Sequence, residues 1–219
     1  MFKKILVANR GEIAVRIIRA CNELGISTVA IHSKSDADAM HVKMASESIC
    51  IGDNPSKDSY LNIPAIITAA ELTGAEAIHP GYGFLSENSR FVAILEEHNI
   101  TFIGPKSEHI EVMGDKIKAR ETIYSTGIPL VPGSKGSISN ITDLKKIAKE
   151  IGFPLIIKAS SGGGGKGMKV VHENSSLLEQ FELAKSEAKA NFGSDKVYIE
   201  KFLESPKHIE FQVFADKYG

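Results

Sequence analysis

A glycine-rich stretch between two lysines carries the clearest chemical signal in this sequence. Residues 155–168 read L-I-I-K-A-S-S-G-G-G-G-K-G-M, so Lys158 precedes four consecutive glycines and Lys166 follows them. Glycine accepts positive φ and lets backbone N–H groups approach a ligand closely, while lysine supplies a charge that attracts phosphate. The stretch therefore predicts a flap, residues 160–168, that covers the phosphates of a nucleotide. The alternative is a long hairpin loop without a ligand.

Short apolar runs on both sides of the flap predict two strands, at residues 155–157 and 168–171. The flap would then connect the strands of a hairpin. A Walker phosphate loop needs Gly-Lys-Ser/Thr leading into a helix, but Lys166 is followed by Gly167 and a β-like run. The dinucleotide-binding fingerprint also needs a helix after its glycines, so the sequence favours neither motif.

A second candidate site begins where an apolar run, residues 75–78, leads into H-P-G-Y-G-F-L-S-E-N at residues 79–88. Proline, two glycines and aromatic residues at the end of a strand predict a tight surface loop. Ligands of open parallel sheets bind at such strand ends. Two interpretations stay open: Tyr82 and Phe84 line a ligand site, or they pack into the core beneath a rigid turn.

The elements that must position these residues begin with an open parallel sheet. Strand 4–8, helix 12–24 and strand 27–32 form a βαβ unit, and only Gly11 lies in its first turn, which gives a nicotinamide site weak support. The pattern predicts further strands at residues 47–51, 75–78 and 101–103, and helices at residues 63–72 and 89–97.

The second half of the chain predicts a smaller α+β unit around the hairpin. Helices are predicted at residues 107–126 with a break at Gly114, at residues 142–151 with Thr142 as the cap, and at residues 175–190. Strands are predicted at residues 197–202 and 209–215. Residues 216–219 read as a turn into a partner strand that does not follow, which would leave an apolar strand edge exposed.

Two other positions could bind a ligand. Lys116 follows the helix break, where it is either a ligand contact or a solvated surface lysine. Residues 200–203 combine a carboxylate, a backbone turn and a leucine, which suit an adenine, although the pattern alone favours a strand end with solvated charges.

Composition limits the classes of partner. The 219 residues carry a net charge of −1, which argues against nucleic acid or a membrane surface as the main partner. No run of about 18 apolar residues and no signal-peptide pattern occurs. Cys21 lies in the apolar stripe of the first helix and Cys50 in a short apolar run, so both are expected to be buried, reduced thiols of a cytosolic protein.

Six motifs, in order along the whole chain, resemble those of biotin carboxylase, the ATP-grasp component of biotin-dependent carboxylases. They are K-I-L-V-A-N-R-G-E-I-A-V-R-I-I-R, H-P-G-Y-G-F-L-S-E-N, F-I-G-P, M-G-D-K, I-I-K-A-S-S-G-G-G-G-K-G-M and E-K-F-L-E-S-P-K-H-I-E. The resemblance implies an α/β fold in four parts: an N-terminal, Rossmann-like pre-ATP-grasp domain (residues 1–113), a bridging helix (114–130), an α+β ATP-grasp lid subdomain (131–203) and the start of the C-terminal ATP-grasp half (204–219).

The resemblance also implies the roles of individual residues. Lys116 and Lys158 match the lysines that hold the phosphates of ATP, and Gly164 and Gly165 match the glycines that cover them. The other flap positions are Ser160, Ser161, Gly162, Gly163, Lys166, Gly167 and Met168. The adenine-binding hinge matches Glu200, Lys201, Phe202 and Leu203, and a further nucleotide contact matches His208. Tyr82 and Gly83 match positions near biotin.

The implied activity is ATP-dependent carboxylation of biotin on a carrier domain, with bicarbonate and Mg²⁺ or Mn²⁺. It is the first half-reaction of a biotin-dependent carboxylase, with acetyl-CoA carboxylase, and hence fatty acid biosynthesis, as the preferred assignment. The implied partners are the biotin carboxyl carrier domain, a carboxyltransferase and a second copy of the chain, in the cytoplasm or an organellar matrix. Arg19 and Glu23 on one helix face could belong to that dimer contact or form a solvated i,i+4 pair.

Members of this family are much longer than this chain, which is interpreted as a fragment. The resemblance places their metal-binding glutamates and catalytic residues beyond Gly219, so no catalytic or metal-binding residue is assigned here, and the chain alone is expected to be inactive. Two alternatives remain: a different ATP-grasp ligase, for example one that makes carbamoyl phosphate or a purine precursor, and a non-catalytic nucleotide-binding module.

Overall fold

The computed structural model of the chain describes residues 1–160, 167–216 and 218. The chain forms two compact units, Met1–Gly114 and Asp115–Gly219. The first contains a parallel sheet with helices, and the second contains a small antiparallel sheet with helices. The predicted α/β fold class is confirmed.

The first unit is built on a five-stranded parallel sheet in the order β3-β2-β1-β4-β5. The strands are β1 Lys4–Val7, β2 Ser27–Ser33, β3 Glu47–Gly52, β4 Ala77–His79 and β5 Thr101–Phe102. The helices are α1 Gly11–Glu23, α2 Met40–Met44, α3 Ile63–Thr73, α4 Ser89–Glu97 and α5 Ser107–Gly114.

Side chains on the two faces of this sheet enter two separate cores, because successive residues of a strand point to opposite faces. Ile5 and Val7 of β1 pack with buried residues of α1, such as Ile18. Leu6 packs instead with residues of α3 and α4, such as Phe91. The sheet is therefore covered on both faces, as its continuous apolar strands predict.

The second unit has a three-stranded antiparallel sheet in the order β7-β6-β8. The strands are β6 Leu155–Ala159, β7 Met168–Val171 and β8 Val197–Lys201, and the helices are α6 Lys116–Ser125, α7 Ile141–Ile151 and α8 Leu177–Phe192. Strands β6 and β7 pair with Lys158 opposite Met168, which confirms the predicted hairpin. Leu144 of α7 and Phe181 of α8 pack in the core with Leu155 and Ile157 of β6.

Several sequence-based boundaries were wrong for identifiable reasons. Helix α7 is capped by Asn140 rather than Thr142, because the Asn140 Oδ1 accepts a hydrogen bond from the Asp143 N–H at 2.8 Å. Helix α8 begins at Leu177 after a short 3₁₀ turn, two residues later than predicted. Strand β4 begins at Ala77, since the Ala75 N–H is used by the Ala70 carbonyl at the end of α3.

The predictions for residues 209–215 and for Cys50 were also wrong. Residues 209–215 are exposed and irregular, and no strand of the described chain pairs with them, which a β-strand requires. Cys50 is exposed because β3 is the edge strand of the sheet, whereas Cys21 is buried as predicted. Both cysteines are free thiols. Across the described residues, no helix is long and apolar enough to cross a membrane.

Candidate functional site

The loops after β1 and β4 meet at the centre of the parallel sheet. The chain moves outward from β1 through β2 to β3 in one direction and from β4 to β5 in the other. Strands β1 and β4 are neighbours, with Val7 opposite His79, so their carboxyl ends lie side by side. This reversal of strand order creates a crevice of the kind that binds ligands in open α/β sheets.

Asn9 connects the two loops. Its side chain is 3% exposed, and its Nδ2 donates hydrogen bonds to the carbonyls of Pro80 and Tyr82, both at 2.7 Å. Its Oδ1 accepts from the Arg10 N–H at 2.8 Å. A Cβ at Gly81 would lie 2.9 Å from the Asn9 Nδ2, so glycine is needed for this close approach. Asn9 therefore fixes the backbone of the second loop on both sides of Gly81.

The two aromatic residues of this loop differ in their burial. Phe84 packs against the core and stacks on Tyr60 with ring centroids 5.0 Å apart, whereas Tyr82 is 60% exposed. An open cleft of about 400 Å³ is lined by residues 82–84, which include Phe84, together with Asn9 and residues 10–13. Tyr82 is thus presented to solvent above a loop that Phe84 anchors.

A polar network around Asp36 adjoins this cleft through Arg10, which also lines the cleft. The Tyr60 hydroxyl donates to the Asp36 carboxylate at 2.7 Å, and Arg10 and Ser33 donate to the same oxygen at 3.1 and 3.0 Å. Burial alone would raise the pKa of Asp36, but these hydrogen bonds outweigh it and the pKa is lowered. Burial, together with the bond to Asp36, raises the pKa of Tyr60 to about 12. Both groups therefore keep their roles as acceptor and donor at neutral pH.

In the second unit, the carboxylate of Glu200 binds two cations. Lys158 Nζ lies 2.6 Å from Oε2 and Arg120 Nη1 lies 2.6 Å from Oε1. Arg120 also donates through Nη2 to the Val131 carbonyl at 2.9 Å. Strands β6 and β8 are paired neighbours, which places Lys158 and Glu200 close together. An adenine contact through this carboxylate would have to share or displace one of the two cations.

Sequence reasoning missed Arg120 and Asn9. Arg120 follows Lys116 by four residues in the sequence, and this helical spacing could have identified it. Asn9 lies inside the N-R-G-E-I-A motif but was read only as part of a turn. Its two Nδ2 hydrogen bonds reach residues more than seventy positions away, which no local pattern reports.

The rest of the predicted adenine hinge continues from Glu200 along the end of β8. The Lys201 N–H donates to the Pro132 carbonyl at 2.7 Å, and its Nζ donates to the Phe153 carbonyl at 2.8 Å. The Phe202 N–H donates to the Pro154 carbonyl at 3.1 Å. Leu203 is 49% exposed, and His208 lies in the exposed segment beyond it, with Nε2 3.6 Å from Glu210. The predicted nucleotide contacts of these residues stay predictions.

Part of the predicted flap lies within the described residues. The Ser160 N–H donates to the Lys196 carbonyl at 2.9 Å, while its buried hydroxyl has no hydrogen-bond partner in the described part of the chain. Gly167 has φ 72°, and Met168 begins β7. The other flap positions and one further side chain lie outside the described residues: Ser161, Gly162, Gly163, Gly164, Gly165, Lys166 and the side chain of Lys116.

Comparison with known families decides what this chain is. The model of the biotin carboxylase N-terminal domain matches residues 1–110, and the model of the carbamoyl-phosphate synthase L chain ATP-binding domain matches residues 115–219. The chain belongs to the biotin carboxylase family. The predicted resemblance is confirmed.

Curated relatives are similar over the whole chain. The biotin carboxylase of Haemophilus influenzae is 58% identical over 220 residues, and biotin carboxylase 1 of Bacillus subtilis is 55% identical over 219 residues. Each alignment covers 100% of this chain and 49% of the relative. The chloroplastic biotin carboxylase of Arabidopsis thaliana is 54% identical over 216 residues, covering 99% of this chain and 40% of the relative. The chain thus spans about half the length of the bacterial relatives.

Solved structures share the fold. A Campylobacter jejuni biotin carboxylase–β-γ-ATP complex has a TM-score of 0.84 and 50% identity, covering 93% of this chain and 46% of that one. The biotin carboxylase domain dimer of Hydrogenobacter thermophilus 2-oxoglutarate carboxylase, in complex with MgADP, ADP and bicarbonate, has a TM-score of 0.81 and 52% identity. It covers 93% of this chain and 45% of that one.

Proposed function

We propose that this chain supplies the biotin-facing and nucleotide-phosphate-binding half of a biotin carboxylase. The enzyme would carboxylate the biotin of a carrier domain with ATP and bicarbonate, as the first half-reaction of acetyl-CoA carboxylase in fatty acid biosynthesis. The observation that carries the proposal is the hairpin β6–β7, with Lys158 at the end next to the connecting loop and paired with Glu200, in a member of this family. Similarity to bacterial and chloroplastic biotin carboxylases supports the choice of acetyl-CoA carboxylase.

The proposed roles follow the chemistry of each residue. Lys158 and Lys116 bind the phosphates of ATP, and the backbone N–H groups of Gly164 and Gly165 cover them. The segment from Glu200 to Leu203 binds adenine, and His208 adds a nucleotide contact. Cations and backbone donors around the transferring phosphoryl group stabilise its developing charge when a closed flap excludes water.

The biotin ring is proposed to bind at the exposed face of Tyr82, beside Gly83. The exposed position of Tyr82 above the cleft, on a loop held by Asn9, supports this assignment. An aromatic side chain held on a fixed backbone loses little conformational entropy when a ligand binds. The proposed domain boundaries remain those of the sequence analysis, at residues 113, 130 and 203.

A divalent metal is proposed to bind together with ATP. The Hydrogenobacter thermophilus domain was solved in complex with MgADP. Within residues 1–160, 167–216 and 218, no group of three or more His, Cys, Asp or Glu side chains could hold a metal ion. No metal ligand is assigned among these residues. A homodimer is proposed as well, supported by the dimer of that domain. Arg19 and Glu23 are either part of that contact or a solvated i,i+4 pair. The carrier domain and a carboxyltransferase complete the proposed partners.

The test is biotin-dependent ATP hydrolysis with bicarbonate and Mg²⁺. It is run on this chain and on a longer version that adds the second half of the Haemophilus influenzae relative. We expect nucleotide binding by both chains and biotin-dependent turnover only by the longer one. Absence of turnover in the longer chain, despite ATP binding, would contradict the proposal.

A second candidate is another ATP-grasp ligase, which the match to the carbamoyl-phosphate synthase ATP-binding domain favours. The same assay separates the two. Hydrolysis of ATP by the longer chain that needs bicarbonate and ammonia, and not biotin, would favour this alternative.

A further inference from the structure

We propose that Arg120 is a positioning residue that keeps the Glu200 carboxylate paired while Lys158 moves from that carboxylate to a nucleotide phosphate. This inference rests on the proposed function, because Lys158 must be a phosphate ligand. It concerns a residue that the sequence motifs do not single out.

The carboxylate is divided between its two cations. Glu200 as a whole is 8% exposed, and each of its oxygens lies 2.6 Å from one cation, Oε1 from Arg120 and Oε2 from Lys158. The three side chains together carry one net positive charge. One cation is therefore sufficient to neutralise Glu200, and the other is available to an anion.

Arg120 is the better anchored of the two cations. Its second terminal nitrogen donates to the Val131 carbonyl at 2.9 Å, so the guanidinium is held at both ends of its fork. The side chain of Lys158 is 27% exposed, compared with 19% for Arg120, and it ends a flexible alkyl chain. Lys158 is the cation that can turn toward a phosphate, and Arg120 is the one that stays.

The backbone at Gly133 passes close to Arg120 and Glu200. A Cβ at Gly133 would lie 3.1 Å from Arg120 Nη2 and from Glu200 Cγ, and 2.7 Å from the Ile199 carbonyl oxygen. The glycine lets the segment that contains Val131 approach β8 closely enough for Arg120 to reach both partners. The position of Arg120 is thus determined by the fold of this unit.

Arg120 affects the free-energy cost of moving the Lys158 ammonium from Glu200 to a nucleotide phosphate. A buried carboxylate that loses its only cation suffers a large desolvation penalty without compensation. If Arg120 were absent, Glu200 would retain Lys158 and compete with the nucleotide for it. With Arg120 present, the transfer exchanges one charge-assisted hydrogen bond for another while Glu200 stays paired. Arg120 should therefore strengthen phosphate binding without touching the phosphate.

The experiment compares ATP with adenosine, which lacks the phosphates, by titration calorimetry on this chain. In Arg120→Gln we expect the ratio of the dissociation constant for ATP to that for adenosine to rise at least tenfold. Arg120→Lys, which keeps a cation but not the fork, should recover part of the ATP affinity. Lys145→Gln, which removes an exposed charge from α7 in the same unit, is the control and should leave both constants unchanged.

The double variant tests whether Arg120 acts through Glu200. Glu200→Gln removes the competitor for Lys158, so Arg120→Gln should have less than a threefold effect on ATP binding in that background. A full effect in that background would mean that Arg120 contacts the nucleotide itself, and it would overturn the inference. Equal ATP-to-adenosine ratios in wild type and Arg120→Gln would overturn it too.

Two further comparisons distinguish failure of this inference from a variant that does not fold and from failure of the proposed function. If Arg120→Gln does not fold, Glu200→Gln alone decides: it should leave the ATP-to-adenosine affinity ratio unchanged or raise it, and a fall would overturn the inference. If the wild-type chain binds adenosine but not ATP, the phosphate site of the proposed function fails and this inference fails with it. ATP binding by wild type with no response to Arg120 defeats the inference alone.

Discussion

Replacement of Asn9 should destabilise the first unit through the loop that contains Tyr82. In Asn9→Ala, the Pro80 and Tyr82 carbonyls lose the donor that now lies 2.7 Å from each, and the Arg10 N–H loses its acceptor. The side chain is 3% exposed, so water cannot readily replace these bonds. Asn9→Asp keeps the size of the side chain but places a carboxylate oxygen against two carbonyl oxygens.

The expected magnitude follows from these three hydrogen bonds. Each contributes about 0.5–1.5 kcal/mol net, and a buried carbonyl left without a donor costs about 1–3 kcal/mol. Asn9→Ala should therefore lower the free energy of unfolding of the first unit by about 2–4 kcal/mol. Asn9→Asp should cost more than Asn9→Ala at neutral pH, because it adds an uncompensated charge beside two acceptors.

Amide hydrogen exchange followed by mass spectrometry is the suitable assay, because peptides from β1 and β4 report on the first unit alone. Asn62→Ala is the matched control. It removes an asparagine that caps α3 by accepting from the Ala65 N–H at 3.2 Å, and it should cost about 1 kcal/mol. The reasoning would be refuted if Asn9→Ala lowered the free energy of unfolding no more than the control does. It would also be refuted if Asn9→Asp lowered that free energy less than Asn9→Ala does.

Three other predictions concern ligand affinity, pH and thiol reactivity. Lys158→Gln should weaken ATP binding about 10- to 150-fold, the scale of a lost charge-assisted hydrogen bond, and an unchanged calorimetric constant would remove Lys158 from the site. Burial lowers the pKa values of His41 and His79 below their ordinary 6.5, so the unfolded state binds more protons and stability should fall as pH drops through that value. Urea midpoints for the first unit that do not change between pH 7.5 and 5.5 would contradict this. Exposed Cys50 should react with a thiol reagent in the native protein, whereas Cys21 should react only after unfolding; equal rates would refute the assigned burial.

Much of the fold could be predicted because it depends on local signals. Alternating strands and helices of the first unit, and the glycine-rich hairpin of the second, follow from hydrophobic periodicity and from the positions of glycine. Gly74, for example, ends α3 in the left-handed conformation, as expected of a glycine after a helix. These signals need only neighbouring residues, so they can be read without knowledge of the packing.

The errors came from residues whose state depends on distant partners. Cys50 reads as a core residue, but its burial depends on which strand lies at the sheet edge, and that is set by topology. Residues 209–215 have the composition of a strand, but strand formation needs a second strand to pair with. Thr142 and Asn140 are both suitable caps, and the choice between them depends on the backbone of the preceding segment.

The roles of the candidate site residues stay predictions, but the structure shows which residues contact them. The motifs identified Tyr82, Lys158 and Glu200, but not the residues that hold them. Arg120 meets Glu200 across 80 residues of sequence, and Asn9 meets Pro80 across 71. A side chain that acts by holding another carries no chemical signature of its own, so its role becomes visible only when the contacts are known.

The 71-residue separation between Asn9 and Pro80 also has a kinetic consequence. Strands β1 and β2 are close in sequence and can pair early, whereas β1 and β4 must close a long loop before they meet. During synthesis on the ribosome, Asn9 would emerge long before the carbonyls that it binds. The cleft beneath Tyr82 is therefore expected to be among the last parts of this unit to form, and its hydrogen bonds would stabilise a sheet that is already assembled.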